Sequence, residues 1–189
     1  MQPTADANDG WPPDPVLVRR ARLGDKEAFA VIVNRHGAAL YRYAYRVLDD
    51  PAGTEDVIQE TMIDAWRGLP SFRGDSSLRT WLFTLTRHRV SRHLSAKARN
   101  PAGVYDEAIE VVDPHADPAQ LQMARGLLGA LEVALRRLPD RQRSAWLLRE
   151  VEGLTYAEIG TVLTTTPTVV RGLLERARDN LAIILKEWR

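Results

Sequence analysis

Residues 153–178 read GLTYAEIGTVLTTTPTVVRGLLERAR. Two short helical patterns flank the segment TTTP. Thr155 and Glu158 have the spacing of a capping box, which predicts a helix starting near Tyr156. Ile159, Val162 and Leu163 give that helix an apolar face. Thr166 can cap a second helix, and Pro167 suits its first position because no N–H is needed there. Val170, Leu174 and Leu181 then point inward, with Arg171, Glu175, Arg178 and Asp179 more outward. A second helix whose N-terminus is free to enter a major groove is the helix-turn-helix arrangement. A plain helical hairpin with a solvated arginine face has the same pattern, so the rest of the chain must decide.

Upstream, helix signals dominate. Asp25 can cap a helix over KEAFAVIVNRHGAALYRYAYRVL. DDPAG breaks the chain, and Thr54 is expected to restart it through EDVIQETMIDAWRGL, with Ile58, Met62, Ala65, Trp66 and Leu69 on one apolar face. The loop PSFRGDSS follows, then a helix from Leu78 with a core stripe of Leu78, Trp81, Leu82 and Leu85. Residues 100–120 carry three prolines, five acids and no Lys or Arg, the composition of a linker. Helical periodicity returns in LQMARGLLGALEVALRRL, Pro139 interrupts it, and DRQRSAWLLREVEG forms another short helix. No segment alternates with period two. The expectation is all-α: two small helical domains over 16–99 and 119–189, an acidic linker over 100–118 and a disordered polar leader over 1–15.

Bulk composition narrows the function. The chain has 189 residues and a net charge of +1, so a case for nucleic acid must rest on where charge lies. There is no cysteine, which excludes disulfides and thiolate metal sites. No apolar run approaches the ~20 residues of a membrane span. The polar N-terminus lacks a signal-peptide layout, which predicts a cytoplasmic protein. None of His36, His88, His93 and His115 shows the i, i+4 spacing of a helical metal site, and no phosphate loop or nucleophile motif is present. No enzyme, metal or cofactor is expected.

Charge is nonetheless sharply partitioned. From Ser76 to Tyr105 there is no acid, while Arg79, Arg87, Arg89, Arg92, Lys97, Arg99, His88 and His93 are present. Arg79, Phe83 and Arg87 share a face at i, i+4 and i+8, which would place an aromatic ring between two cations. Cations track phosphates and rings stack unpaired bases; alternatively Phe83 packs against a neighbouring helix. The preceding helix carries Asp56, Glu60 and Asp64 outward, with Gln59 and Ile63 among them. Such a face fits a basic protein partner, or is simply solvated.

The segment EDVIQETMIDAWRGLPSFRGDSSLRTWLFTLTRHRV resembles the central region of sigma-70 family sigma factors of the extracytoplasmic-function (ECF) subgroup. LPDRQRSAWLLREVEGLTYAEIG and the tail ERARDNL resemble their second DNA-binding domain, so the likeness covers nearly everything after Pro15. The resemblance implies a protein that binds core RNA polymerase, through the β′ clamp helices and the β flap, reads −35 and −10 promoter elements and helps open the DNA. It implies that Asp56, Gln59, Glu60, Ile63 and Asp64 dock the polymerase. Ser71 to Ser77, including Phe72, Arg73, Asp75, Ser76 and Ser77, would hold a flipped −10 base. Arg79, Thr80, Trp81, Phe83, Thr84, Arg87 and His88 would engage the −10 region. Thr166, Thr168, Val169, Arg171, Gly172, Glu175, Arg176 and Arg178 would serve the −35 element. An anti-sigma partner is implied as well. Asp106, Glu107, Glu110 and Asp113 would suit a linker that mimics an RNA backbone, though a solvated tether has the same composition.

The match is poorest in the opening stretch. Where the family reads close to LGCPVGTVKSRLHRAR, this chain reads LTTTPTVVRGLLERAR. Thr164 replaces a turn glycine, Pro167 sits one place later, and Arg171-Gly172-Leu173 replaces Lys-Ser-Arg. Leu173 is expected to cost a possible base contact, and Gly172 to weaken the helix while allowing a close approach to DNA. The −35 sequence therefore cannot be borrowed from relatives. The alternative is a helix-turn-helix regulator of response-regulator output type, whose effector domains the C-terminal segment also resembles. That reading leaves the acidic and basic helices unexplained.

Overall fold

A computed structural model describes residues 10–99, 126 and 129–186. The expected linker over 100–118 and most of the expected leader lie outside them. The chain forms α1 (Asp14–Arg22), α2 (Lys26–Leu48), α3 (Pro51–Gly68), a 3-10 turn (Leu69–Ser71) and α4 (Leu78–Arg99). Residues 129–136 are helical (α5). They are followed by α6 (Asp140–Trp146), a π-helical turn (Leu147–Val151), α7 (Tyr156–Val162) and α8 (Pro167–Lys186). Among the described residues there is no strand.

The first four helices pack around Leu17, Ile32, Leu40, Tyr43, Leu82 and Phe83, all essentially inaccessible to solvent. The C-terminal helices enclose Leu147, Leu148, Ile159, Val170 and Leu174. The two apolar cores are continuous through the face where α2 and α4 meet α6 and α7. The chain is therefore two helical units pressed together.

Local chemistry sets the helix starts. Asp25 accepts a hydrogen bond from Ala28 N and caps α2 as expected. Helix α3 starts at Pro51, earlier than Thr54, because Asp50 caps it through Gly53 N and Pro51 occupies the first position, where its missing N–H costs nothing. Thr54 lies buried and returns its hydroxyl to the Asp50 carbonyl at 2.7 Å. At the other end of the chain's expected leader, α1 begins at Asp14, inside the 1–15 segment. Asp14 is buried; one oxygen lies 2.7 Å from Arg35 Nη1 and the other 2.9 Å from His36 Nε2. Burial pushes its carboxyl up, but the hydrogen bonds and charges of His36 and Arg35 hold it below the usual carboxylate range.

The helix-turn-helix forms as the sequence predicts. Thr155 and Glu158 make the reciprocal capping box, and the Thr166 hydroxyl accepts from Val169 N at 3.3 Å. Between the helices, Thr164 holds a left-handed backbone at φ +50°. Gly160 packs so closely that a Cβ there would lie 2.9 Å from the Thr165 carbonyl. The turn thus uses its glycine for close approach and leaves the left-handed position to a β-branched residue. Left-handed geometry costs a non-glycine residue roughly 1–2 kcal/mol, and glycine's extra unfolded-state freedom offsets about 0.5–1 kcal/mol of any gain. Thr164→Gly should therefore raise stability by about 0.5–1 kcal/mol, whereas Gly160→Ala should lower it by about 1–3 kcal/mol. Calorimetric midpoints of the two variants, moving in opposite directions, check both.

Candidate nucleic-acid interface

Three surfaces carry the residues singled out from the sequence. On α3, Asp56 and Gln59 are exposed and Ile63 keeps 43% of its surface in solvent. Glu60 and Asp64 are already engaged. Arg89 of α4 grips Asp64 through Nε and Nη2, the latter at 2.6 Å, and reaches Glu60 through Nη1 at 2.6 Å. That guanidinium holds the Asp64 carboxyl below the usual carboxylate range. The acidic face is thus knitted to the basic helix behind it, leaving Asp56, Gln59 and Ile63 as its free edge.

The loop before α4 exposes Arg73, Asp75 and Ser77, with Phe72 and Ser76 half-buried. Phe72 packs on Trp81 with ring centroids 5.0 Å apart. A hollow opens between this loop and α1, lined by Asp14, Val18, Arg22, Phe72, Arg73 and Ser76. Ser77 caps α4 by accepting from Thr80 N at 3.0 Å. His88 is exposed and Thr84 half-exposed; the Thr84 hydroxyl bonds back to the Thr80 carbonyl.

The remaining α4 residues are not laid open to a strand. Phe83 is fully buried, meeting Tyr43 edge to face at 5.6 Å, with the Arg79 guanidinium over its ring at 5.3 Å. The expected stacking ring is a core side chain, because the apolar face of α4 is wider than the Leu78–Leu82–Leu85 stripe suggests. Thr80 is buried too, and donates its hydroxyl to Glu158 Oε1 at 3.0 Å. Arg87 is buried against α6, bonding Asp140 Oδ1 at 2.9 Å and Ser144 Oγ at 3.2 Å. Arg79 bonds the Glu152 carbonyl at 2.8 Å. The Glu152 carboxylate, 1% exposed, takes both forks of Arg42 at 3.0 Å and Arg79 at 3.3 Å. In this closed form Arg79, Thr80 and Arg87 hold the two units together. Glu152 and Asp140 have no local sequence signature, and Glu158 shows only its capping-box role; their contacts across the junction become visible only once the units meet.

On α8 the surface is open. Thr166, Thr168, Val169, Arg171, Glu175, Arg176 and Arg178 are exposed. Arg178 is paired with Glu150 at 2.8 Å. Leu173, read as a lost base contact, is buried in the core instead; the face that turns outward runs through Thr168, Gly172 and Glu175.

A helix-turn-helix with an exposed second helix, joined to a second helical unit bearing a strongly basic helix, is the arrangement of a DNA-binding protein. The comparisons with known proteins name the family. Sigma-70 region 2 matches residues 32–100, and sigma-70 region 4 matches residues 128–181. The RNA polymerase sigma-H factor of Pseudomonas aeruginosa is 33% identical over 174 residues, covering 88% of this chain and 90% of that protein. The ECF RNA polymerase sigma-E factor of Escherichia coli K12 is 33% identical over 175 residues, covering 88% and 91%. CnrH, solved in complex with the cytosolic domain of CnrY, superposes with a TM-score of 0.69 at 26% identity, covering 92% of this chain and 97% of that one. The chain belongs to the sigma-70 family, in its ECF subgroup. It is an alternative sigma factor, which binds core RNA polymerase and directs it to promoters. Among the described residues, no group of His, Cys, Asp or Glu could hold a metal, and no helix is long and apolar enough to cross a membrane.

Two outcomes follow from the packing. Phe83→Ala should destabilise the fold by about 3–5 kcal/mol, seen in chemical denaturation without DNA. Burial pushes Glu158 up, but hydrogen bonds from Thr155 and Thr80 hold it below its ordinary value near 4.5. Stability from such a group is complete above the unfolded value and is lost as pH falls through the folded one. The wild-type thermal midpoint should fall on acidification below that ordinary value, and Glu158→Gln should flatten part of the fall.

Proposed function

We propose how the three surfaces divide the work of this sigma factor. The bounds of the working units are taken as 16–99 for polymerase and the −10 element, 100–118 for the linker and 119–189 for the −35 element. The α3 edge of Asp56, Gln59 and Ile63, with Glu60 and Asp64 behind it, docks the polymerase clamp. Charge complementarity steers the approach and the aliphatic group supplies the desolvated contact. The 71–77 loop and its hollow receive an unstacked −10 base, with Phe72 and Trp81 as the adjoining aromatic wall. The exposed face of α8 enters the −35 major groove. No catalytic group is needed: unstacking costs a few kcal/mol and strand contacts recover about 1–3 kcal/mol per base. The chain acts in the cytoplasm, where its polymerase and promoter are.

The closed form adds a condition. Arg79, Thr80 and Arg87 cannot hold a strand while they hold Glu152, Glu158 and Asp140. Engagement of the −10 strand by these residues therefore requires α6 and α7 to leave α4. The observation that carries this reading is the burial of Thr80 and Arg87 against the C-terminal unit. An anti-sigma partner would act by prolonging the closed form; support comes from CnrH, solved with the cytosolic domain of CnrY.

Run-off transcription with core enzyme tests the assignment. Asp56→Lys should weaken association with core polymerase about tenfold, the scale of one lost charge contact. Trp81→Ala should leave −35 binding intact while reducing permanganate reactivity of −10 thymines; unchanged reactivity would remove Trp81 from the melting surface. Asp140→Asn with Glu152→Gln should raise the affinity of the free chain for a single-stranded −10 oligonucleotide several-fold, since the competent fraction sets apparent affinity. An unchanged affinity would show that the closed form does not gate the strand site.

A further inference from the structure

Position 172 lies at the centre of the outward face of α8. Thr168, Gly172 and Glu175 follow one another at spacings of four and three, so they share a line opposite the buried Val170, Leu174 and Ala177. A glycine inside a helix lowers its stability relative to alanine, so it calls for a reason. The fold supplies none. A Cβ on Gly172 would meet nothing but the guanidinium of Arg176, with its nearest atoms at 3.7 Å, an ordinary contact with the tip of a flexible side chain. Gly160, in the preceding helix α7, shows the contrasting case, where backbone crowding does demand glycine. The residues flanking Gly172 are the exposed Val169, Arg171, Glu175 and Arg176, so the gap is bordered by groups able to meet base edges and phosphates.

Resting on the assignment of α8 to the −35 element, we propose that Gly172 is a specificity-determining residue. Its bare backbone is the point of closest approach to the major-groove floor, and the gap beside it accepts a base edge that a side chain would exclude. Arg176 lies across the gap in the free protein and swings to the duplex on binding. Glycine here therefore trades helix stability for contact depth, and the flanking side chains reach base edges only because the axis sits close.

The test uses the full chain assembled with core polymerase and a promoter library in which the −35 segment is randomised. Wild-type holoenzyme should enrich a defined −35 motif. Gly172→Ala should be more heat-stable than wild type, yet should bind the enriched fragment at least about tenfold more weakly, the loss of one good base contact. Its affinity for a fragment with a scrambled −35 segment should not change, and its own enriched motif should lose definition at adjacent base pairs. If Gly172→Ala bound the enriched fragment as tightly as wild type, or proved less heat-stable, the proposal would be overturned while the assignment of α8 stood. If wild-type holoenzyme enriched no −35 motif, both would fall.

Discussion

Glu152 is the hinge on which the arrangement turns. A carboxylate taken almost wholly out of water is tolerated only when its charge is met and its lone pairs are filled. Here the charge is met by Arg42 from α2 and Arg79 from α4. Its own backbone carbonyl is used as well, accepting from Arg79. The C-terminal unit thereby presents an acid that has no partner of its own, and the N-terminal unit presents two arginines to receive it. Removal of one side would leave a buried charge unpaired, which is far costlier than never burying it. The junction is also reinforced at its far end. Arg143 donates to the Val47 carbonyl at 2.9 Å and Arg136 pairs with Asp49 at 2.8 Å, both at the C-terminus of α2, where cations complement the helix dipole.

This makes the basic helix α4 a shared resource. Its arginines face three ways: Arg89 toward the acids of α3, Arg79 and Arg87 toward the C-terminal unit, and Arg92 and Arg99 toward solvent. An arginine fork satisfied by a carboxylate is not simultaneously available to a phosphate. The same residue chemistry that suits the promoter thus suits an internal acid. On the proposed reading, opening of the junction would exchange one anion for another while leaving the helix itself unchanged.

The sequence made the elements legible, and the junction less so. Caps at Asp25, Thr155 and Thr166 are local, involve residues within three positions, and were readable as such. The start of α3 was misplaced because Asp50-Pro51 reads equally as a break and as a cap. Phe83 admits two readings from sequence, a stacking ring or a packed side chain, and the structure shows the second. Its spacing to Arg79 and Arg87 is real, and Arg79 does sit over its ring. Yet the face those three share turned out to be the one covered by Tyr43 and α6, since period alone cannot say which neighbour arrives. Leu173 failed in the same way, as a family position for arginine became an apolar position in this chain's core. The cross-junction bonds of Glu152, Glu158 and Asp140 were invisible because those partners are 53 or more residues away in sequence.

In the divergent helix-turn-helix, two departures lower stability and other features offset them. Thr164 takes up a conformation that glycine would hold with less strain, while Gly172 weakens the helix it sits in. Both changes reduce the stability of the reading unit. Against them stand a complete capping box, a hydroxyl cap at Thr166 and a core that gained Leu173. Burying a leucine side chain contributes about 1.5–3 kcal/mol, comparable with losses of about 1–2 kcal/mol at Thr164 and about 1 kcal/mol at Gly172. A chain can therefore place a leucine in the core at 173, carry a bare position at 172 and keep the helix-turn-helix intact. Under the proposal for Gly172, recognition rests on the depth at which the helix axis lies.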